Sequence, residues 1–376
     1  MGAPSRWRYA LRDALTLAAA LGAGACGHAP PKAAAVGPAW VVDSVPVTDI
    51  AGSTPSGDAA FLSVVGAVRL SDGTIVIGDT YASSIRYFDS TGHGVRSVGR
   101  EGRGPGEFRT LRWIGRCGGD SVFVWGNNGV TVLDSSGIFA RRFQLPADTV
   151  GAPEPVFMAC GPGTDIALLA PNYHAFRIDS KSSLPVPGVL VLADRTGHLT
   201  RTVDSVSIGQ QTAFGHWTQL ALSSDRIFVG PEDSARVLAF GVDGAPRRAL
   251  RIGVVGRPVS DWEYERAIDQ RVSVFSSASD RAIAKKAMLK RPKPETLAAY
   301  FALFAVGHDT LWAQISAPGD SITVLDAVGP DGKPAGEARI PRELRVLDMG
   351  RDFVLGEYDA PDGEQHVMLY RMHPPG

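Results

Sequence analysis

Short apolar runs separated by polar turns recur along most of the chain, with the alternation of strands and not the period of helices. The first clear set is 74–79 (TIVIGD), opened by Ser71-Asp72-Gly73. It continues with 84–89 (SIRYFD), closed by Ser90-Thr91-Gly92, and 94–99 (GVRSVG). Segment 61–70 supplies a strand in front, which makes one antiparallel unit of four. The set returns at 120–125, 130–137 and 139–145, and more loosely at 158–169, 189–197 and 199–206. Further copies run through 225–230, 237–244 and 249–253, through 309–314 and 322–326, and through 352–357 and 366–370. The undisturbed spacing is about 45 residues, that of propeller blades. The Asp-x-x-Gly hairpin ends have a local cause: Asp bonds its own backbone, and Gly takes the left-handed turn position.

A lone sheet of this kind cannot bury both faces, whereas sheets packed in a ring can, leaving only short protected edges. The pattern therefore predicts an all-β fold, a β-propeller of six four-stranded blades spanning 40–372. The last copy supplies only three strands, and the chain carries an orphan strand at 40–47. That N-terminal strand is expected to pair against 365–370 and close the last blade. Pro46 has no N–H to donate, which suits an outermost strand. One segment breaks the period. Residues 257–296 are charged and helix-favouring, with Ser260 as a cap ahead of 261–266 and a second helical stretch at 280–290 before Arg291-Pro292-Lys293-Pro294. This predicts a helical insertion between the fourth and fifth blades. Its basic run, Lys285, Lys286, Lys290, Arg291 and Lys293, reads as a solvated face and not as a nucleic-acid site.

The stretch Asp79-Thr80-Tyr81-Ala82-Ser83-Ser84-Ile85-Arg86-Tyr87-Phe88-Asp89, with Gly92, Val98-Gly99 and Gly102 through Phe108, resembles the NHL repeat. It is also similar to exported bacterial six-bladed-propeller lipoproteins. The resemblance covers about 73–108 and implies the fold that the periodicity predicts elsewhere. The Gly-rich part, 102–108, precedes no helix and lacks the Lys-Ser/Thr ending of a phosphate loop, so it reads as an inter-blade turn.

Targeting changes the picture more than composition does. Arg6, Arg8 and Arg12 form a basic start, 14–25 is an apolar run too short to span a bilayer, and it ends in Ala23-Gly24-Ala25-Cys26. Small residues directly before a cysteine resemble a lipobox, whose thiol takes a diacylglycerol. On this reading 1–26 is a lipoprotein signal ending at the lipidated Cys26, and 27–39 is a flexible tether. A plain secretory signal with cleavage nearby is the alternative. The remaining cysteines, Cys117 and Cys160, each end an inner strand before a Gly-containing turn. They occupy equivalent places in adjacent blades, and export to an oxidising compartment predicts a disulfide between them. Net charge is −1, which gives no global electrostatic case for nucleic acid.

No metalloprotease helix, nucleophile elbow or dinucleotide fingerprint is present in the sequence, and no pair of histidines has metal-ligand spacing. No catalytic residue, metal or cofactor is assigned. The inter-blade connections place Arg109, Arg112, His216, Trp217 and Tyr300 at or just before the starts of inner strands, on the end from which the insertion emerges. Guanidinium and aromatic groups are the types that dominate binding sites, so these five form the candidate ligand-binding face. The expected function is a binding or scaffolding propeller at the periplasmic or outer face of a membrane, held there by its lipid. Its ligand would be a small molecule or a protein of unknown identity. Two alternatives remain: a metal-dependent propeller enzyme of lactonase or lyase type, and a structural subunit of an envelope assembly.

Overall fold

Nearly every strand pairs with its neighbour in sequence, so the chain folds as a run of antiparallel units. The computed structural model describes residues 37–376 apart from 52–59, 62, 105, 127–128, 146–154, 164, 172–185, 210–216, 232–233, 254–255, 273–276, 291–292, 309 and 318. Two N-terminal strands, β1 (Ala39–Val42) and β2 (Thr48–Ala51), precede the first complete unit. That unit, blade 1, is β3 (Val64–Arg69), β4 (Ile75–Asp79), β5 (Ser84–Phe88) and β6 (Gly94–Val98). Blade 2 is β7 (Leu111–Cys117), β8 (Ser121–Gly126), β9 (Gly129–Leu133) and β10 (Phe139–Gln144). Blade 3 is β11 (Phe157–Cys160), β12 (Ile166–Pro171), β13 (Val186–Ala193) and β14 (Leu199–Gly209). Blade 4 is β15 (Gln219–Leu222), β16 (Arg226–Gly230), β17 (Arg236–Gly241) and β18 (Pro246–Arg251). After the helices α1 (Asp261–Val272) and α2 (Ala278–Met288), blade 5 is β19 (Ala302–Val306), β20 (Thr310–Gln314), β21 (Thr323–Val328) and β22 (Pro334–Ile340). Blade 6 takes β23 (Arg345–Met349), β24 (Phe353–Asp359) and β25 (Gln365–His373) from the C-terminus and β2 from the N-terminus.

Packing shows that these sheets close a ring. Six buried apolar clusters each join two neighbouring blades: 1 with 2, 2 with 3, 3 with 4, 4 with 5, 5 with 6, and 6 with 1. The last contains Ile50 of β2, Ile75 and Phe88 of blade 1, and Leu355 and Leu369 of blade 6. Because neighbours cover both faces, β4, β5 and β9 are buried at every position, and the alternation of a one-sided sheet is lost there. The outer strands β6 and β10 have no neighbour beyond them and stay largely exposed. The hairpins between third and fourth strands repeat one device. In blade 1, Asp89 Oδ1 accepts from Thr91 N at 2.9 Å and His93 N at 3.0 Å, and Gly92 turns the chain at φ +90°.

The closing strand does come from the N-terminus, but further along than expected. Thr48–Ala51 pairs with 366–369, whereas Ala39 and Trp40 add parallel to β22, and Val41 and Val42 pair with the end of β25. Pro46 lies in the connection between the two strands. The reason is Trp40, whose indole stands edge-on to Trp312 at 5.4 Å and donates to Ala335 O at 3.4 Å. That anchor draws the first part of the arm onto blade 5.

The insertion is a helical hairpin. Ser260 caps α1 reciprocally: Glu263 N donates to Ser260 Oγ at 3.2 Å, and Ser260 N donates to Glu263 Oε2 at 3.0 Å. The Arg257 guanidinium and these cap bonds hold Glu263 down to a pKa of about 2. Tyr264, Ile268 and Val272 put one α1 stripe onto Val259, Leu297 and Ala317, so α1 seats the hairpin on blade 5.

Candidate ligand-binding face

The inner strands β3, β7, β11, β15, β19 and β23 all run the same way along the channel, so the ring has a leading end, where they begin, and a trailing end. The helical hairpin leaves β18 and returns to β19, which puts it at the leading end. Arg266 of α1 pairs with Glu343 at 3.7 Å, just ahead of β23, and donates to Gly319 O at 3.5 Å. Arg109 and Arg112 lie at the same end, around the start of β7, and both are exposed. The Arg112 guanidinium sits 5.7 Å from the centroid of the buried Trp125 ring.

Two aromatic members of the predicted face serve packing instead. Tyr300 is 0% exposed. Its hydroxyl donates to Pro231 O at 3.0 Å and Arg236 O at 3.3 Å, so it locks blade 5 onto blade 4 and offers nothing to a ligand. The inter-blade joint claims it because a large ring with one polar tip fills that seam and satisfies two carbonyls at once. Trp217 is half-buried and stands edge-on to Phe157 at 6.1 Å, between blades 3 and 4. His216 lies outside the described residues, as does Cys26. Of the five, the structure therefore leaves Arg109 and Arg112 displayed at the leading end.

Polar groups also cross the seam between blades 6 and 1. Arg345 at the start of β23 pairs with Glu357 and donates to Val64 O at 2.6 Å; Glu357 Oε1 accepts from Gln365 Nε2 at 2.7 Å. Burial raises the Glu357 pKa, against the opposing pull of Arg345. Near the trailing end, Asp348 is half-buried; its carboxylate accepts from Arg69 N and Met349 N, both at 2.8 Å. Burial raises its pKa as well, with the Arg69 amide and the Arg116 charge pulling the other way. Asp348 is not among the residues the sequence singled out, although an acid between Leu347 and Met349 in an inner strand is a usable signal. Among the described residues, no three His, Cys, Asp or Glu side chains gather as a metal site. The carboxylates of Asp348 and Glu357 are held by backbone amides and by Arg345.

The stretch 79–108 is held by its own turn and seam contacts. Asp79 Oδ1 accepts from Ser63, Tyr81 and Ala82 amides at 3.1–3.2 Å, and the buried Arg86 stands 3.6 Å from Asp79 and 4.0 Å over the Phe61 ring. In the Gly-rich turn, Glu107 accepts from Gly104 N and Arg100, both at 2.8 Å. The ends of β7 and β11 are joined by a disulfide between Cys117 and Cys160, Cα atoms 5.4 Å apart, beside a Gly118 N to Gly161 O bond of 3.0 Å.

With this geometry in hand, the likeness to known proteins is one of fold. No curated protein matches the sequence. A solved member of a Bacteroides vulgatus family of unknown function superposes with a TM-score of 0.51 at 14% identity, covering 89% of this chain and 99% of that one. A Bacteroides fragilis protein assigned as exported superposes with a TM-score of 0.52 at 11% identity, covering 89% and 95%. A family model described as a 6-bladed beta-propeller matches residues 57–114. The chain is thus an all-β protein of β-propeller fold, similar over 57–114 to a family of 6-bladed beta-propellers and similar in fold to the two Bacteroides proteins.

Proposed function

We propose that this propeller works outside the cytoplasm, held at a membrane by lipid on Cys26, and that it binds a partner or ligand at its leading end. The observation that carries the reading is the bond between Cys117 and Cys160 on adjacent inner strands. Such bonds persist in oxidising compartments and are rare in the cytosol. The likeness to a protein assigned as exported agrees with it, as does the basic, apolar and small-residue order of 1–26. Arg109 and Arg112 supply the displayed cationic groups, suited to an anionic or aromatic ligand.

Mass spectrometry of the mature protein tests the anchor. The mature chain is expected to begin at Cys26 and carry the added mass of a diacylglycerol; an unlipidated start elsewhere would overturn it. A photo-crosslinking residue at position 112 tests the face in whole cells. It is expected to capture a partner that the same residue at position 196, in the exposed hairpin of the opposite end, does not. Equal capture from both ends would reject the leading-end assignment.

A further inference from the structure

The helical hairpin carries a surface that the ring does not use. No residue of α2 is buried. Ile283 is 69% exposed and Leu289, just beyond its end, 48% exposed, while Trp262 on α1 is 64% exposed. These are large apolar groups on a short element that has no need of them for packing; its seat on blade 5 is made by Tyr264, Ile268 and Val272 of α1. The same stretch is cationic. Residues 278–290 contain Arg281, Lys285, Lys286 and Lys290 against Asp280 alone, in a chain whose net charge is −1. Lys285 is paired with Asp269, but Lys286 and Lys290 are exposed and have no ion pair among the described residues. Exposed apolar side chains interleaved with lysines on one helix are the pattern of a segment that lies in an anionic membrane surface.

We propose that α2 docks on an anionic lipid surface, with Ile283 and Leu289 entering the headgroup boundary and Lys286 and Lys290 meeting its charge. Composition favours a lipid surface over other acidic partners: Ile283 and Leu289 are large exposed apolar groups set beside Lys286 and Lys290, a combination that matches an acyl boundary and its anionic headgroups together. Arg266 ties the hairpin to Gly319 and Glu343, so α2 is presented from a fixed seat at the leading end. The proposal rests on the membrane-tethered reading for its setting. It adds a second attachment, which orients the propeller on the surface.

The test omits the lipid, so that the two readings fail separately. All six blades and both helices lie within 37–376, so a chain of residues 27–376 retains the whole ring. It is expected to co-sediment with vesicles of phosphatidylglycerol and phosphatidylcholine at low salt, to bind pure phosphatidylcholine far less, and to be released as salt rises. Ile283→Asp, and separately Lys286→Glu with Lys290→Glu, should each weaken that binding about tenfold or more while leaving the thermal melt unchanged. Failure to bind anionic vesicles overturns the proposal. So does binding that both variants leave intact, which would place the contact elsewhere. A dimer that Ile283→Asp dissociates, with no vesicle binding, would overturn it in favour of a second copy of the chain.

Discussion

The joint between blades 2 and 3 and the joint between blades 6 and 1 do the same work by opposite means. The first links segments near in sequence: Cys117 and Cys160 lie 43 residues apart and are covalently bonded. The second joins the two ends of the chain. It has no covalent link and relies on β2 added to β25, on Ile50 in the shared core, and on polar contacts crossing the seam. Among the contacts from blade 6 to blade 1 are Arg345 to Val64 O, Gln365 Oε1 from Val64 N, Asp348 from Arg69 N, and Thr48 Oγ1 to Ser90 O. A disulfide stabilises largely by restricting the unfolded chain, so its effect is local and insensitive to pH. A seam made of buried polar groups acts in the folded state, is lost cooperatively, and depends on protonation. The ring is therefore expected to open at the chain ends.

The strongest way to break that comparison is to remove residues 27–51, which deletes both β1 and β2. Blade 6 then presents the β25 edge, and the 6–1 core loses Ile50. The cooperative melt followed by circular dichroism should disappear and the protein should aggregate on a sizing column; a sharp melt near the parent temperature would show that the seam is not what holds the ring. Within the full chain, Ile50→Ala should cost about 2–5 kcal/mol in urea unfolding, as for other buried aliphatic truncations.

Next in size, Cys117→Ala with Cys160→Ala should cost up to about 4 kcal/mol, the chain-entropy value for a loop of this length. Reducing the parent with dithiothreitol should lower its melting temperature to that of the double variant. If reduction changes nothing, the 2–3 joint is carried by its apolar core alone.

The pH dependence separates the sides of the ring further. Burial and the facing Glu337 carboxylate push Asp326 up to a pKa of about 6. Glu337 stands opposite it on β22, the strand to which β1 adds. A raised folded pKa means that the folded state holds the proton more tightly than the unfolded one, whose carboxyl titrates near about 3.9. Stability is thus expected to fall as pH rises through about 4 to 6. Asp326→Asn should remove that slope and, after discounting for partial exposure, stabilise the protein at neutral pH by about 1–2 kcal/mol. Melts of parent and variant across pH 4–8 check both sign and size. The hairpin carboxylates Asp89, Asp134 and Asp194 act oppositely: bonds from neighbouring hydroxyls and amides lower their pKa, so their contribution is lost only in acid.

The smallest expected effect is Gln365→Ala, which leaves the Val64 amide without its acceptor across the 6–1 seam. A loss of about 1 kcal/mol is expected. A far larger loss would show that the Gln365–Glu357–Arg345 network acts as one unit.

The candidate face was less legible than the fold. Arg109 and Arg112 were named from their place at or just before the start of an inner strand, and both side chains are exposed. Tyr300 came from the same rule and is entirely buried, because strand position fixes which end of the ring a residue occupies but not whether its side chain meets solvent or a neighbouring blade. The reciprocal cap of α1 was half legible: Ser260 was read as a cap, while Glu263 completes the box at its expected spacing. Asp348 and Glu357 were hidden among strand residues, since their importance lies in arginines and amides from other segments.

By itself the sequence determined the repeat, the turns and the break in the repeat. Each rests on local physics: alternation sets a strand, Asp and Gly set its hairpin, and a charged, helix-favouring run cannot continue a sheet. Tertiary structure alone decided which N-terminal stretch closes the ring, since β1 and β2 compete for partners in two blades and Trp40 settles the matter through Trp312. It also decided which aromatic groups fill seams, and that the hairpin leaves Ile283 and Leu289 uncovered. Those outcomes depend on shapes meeting across the ring, and one strand read alone carries no record of the surface it will meet.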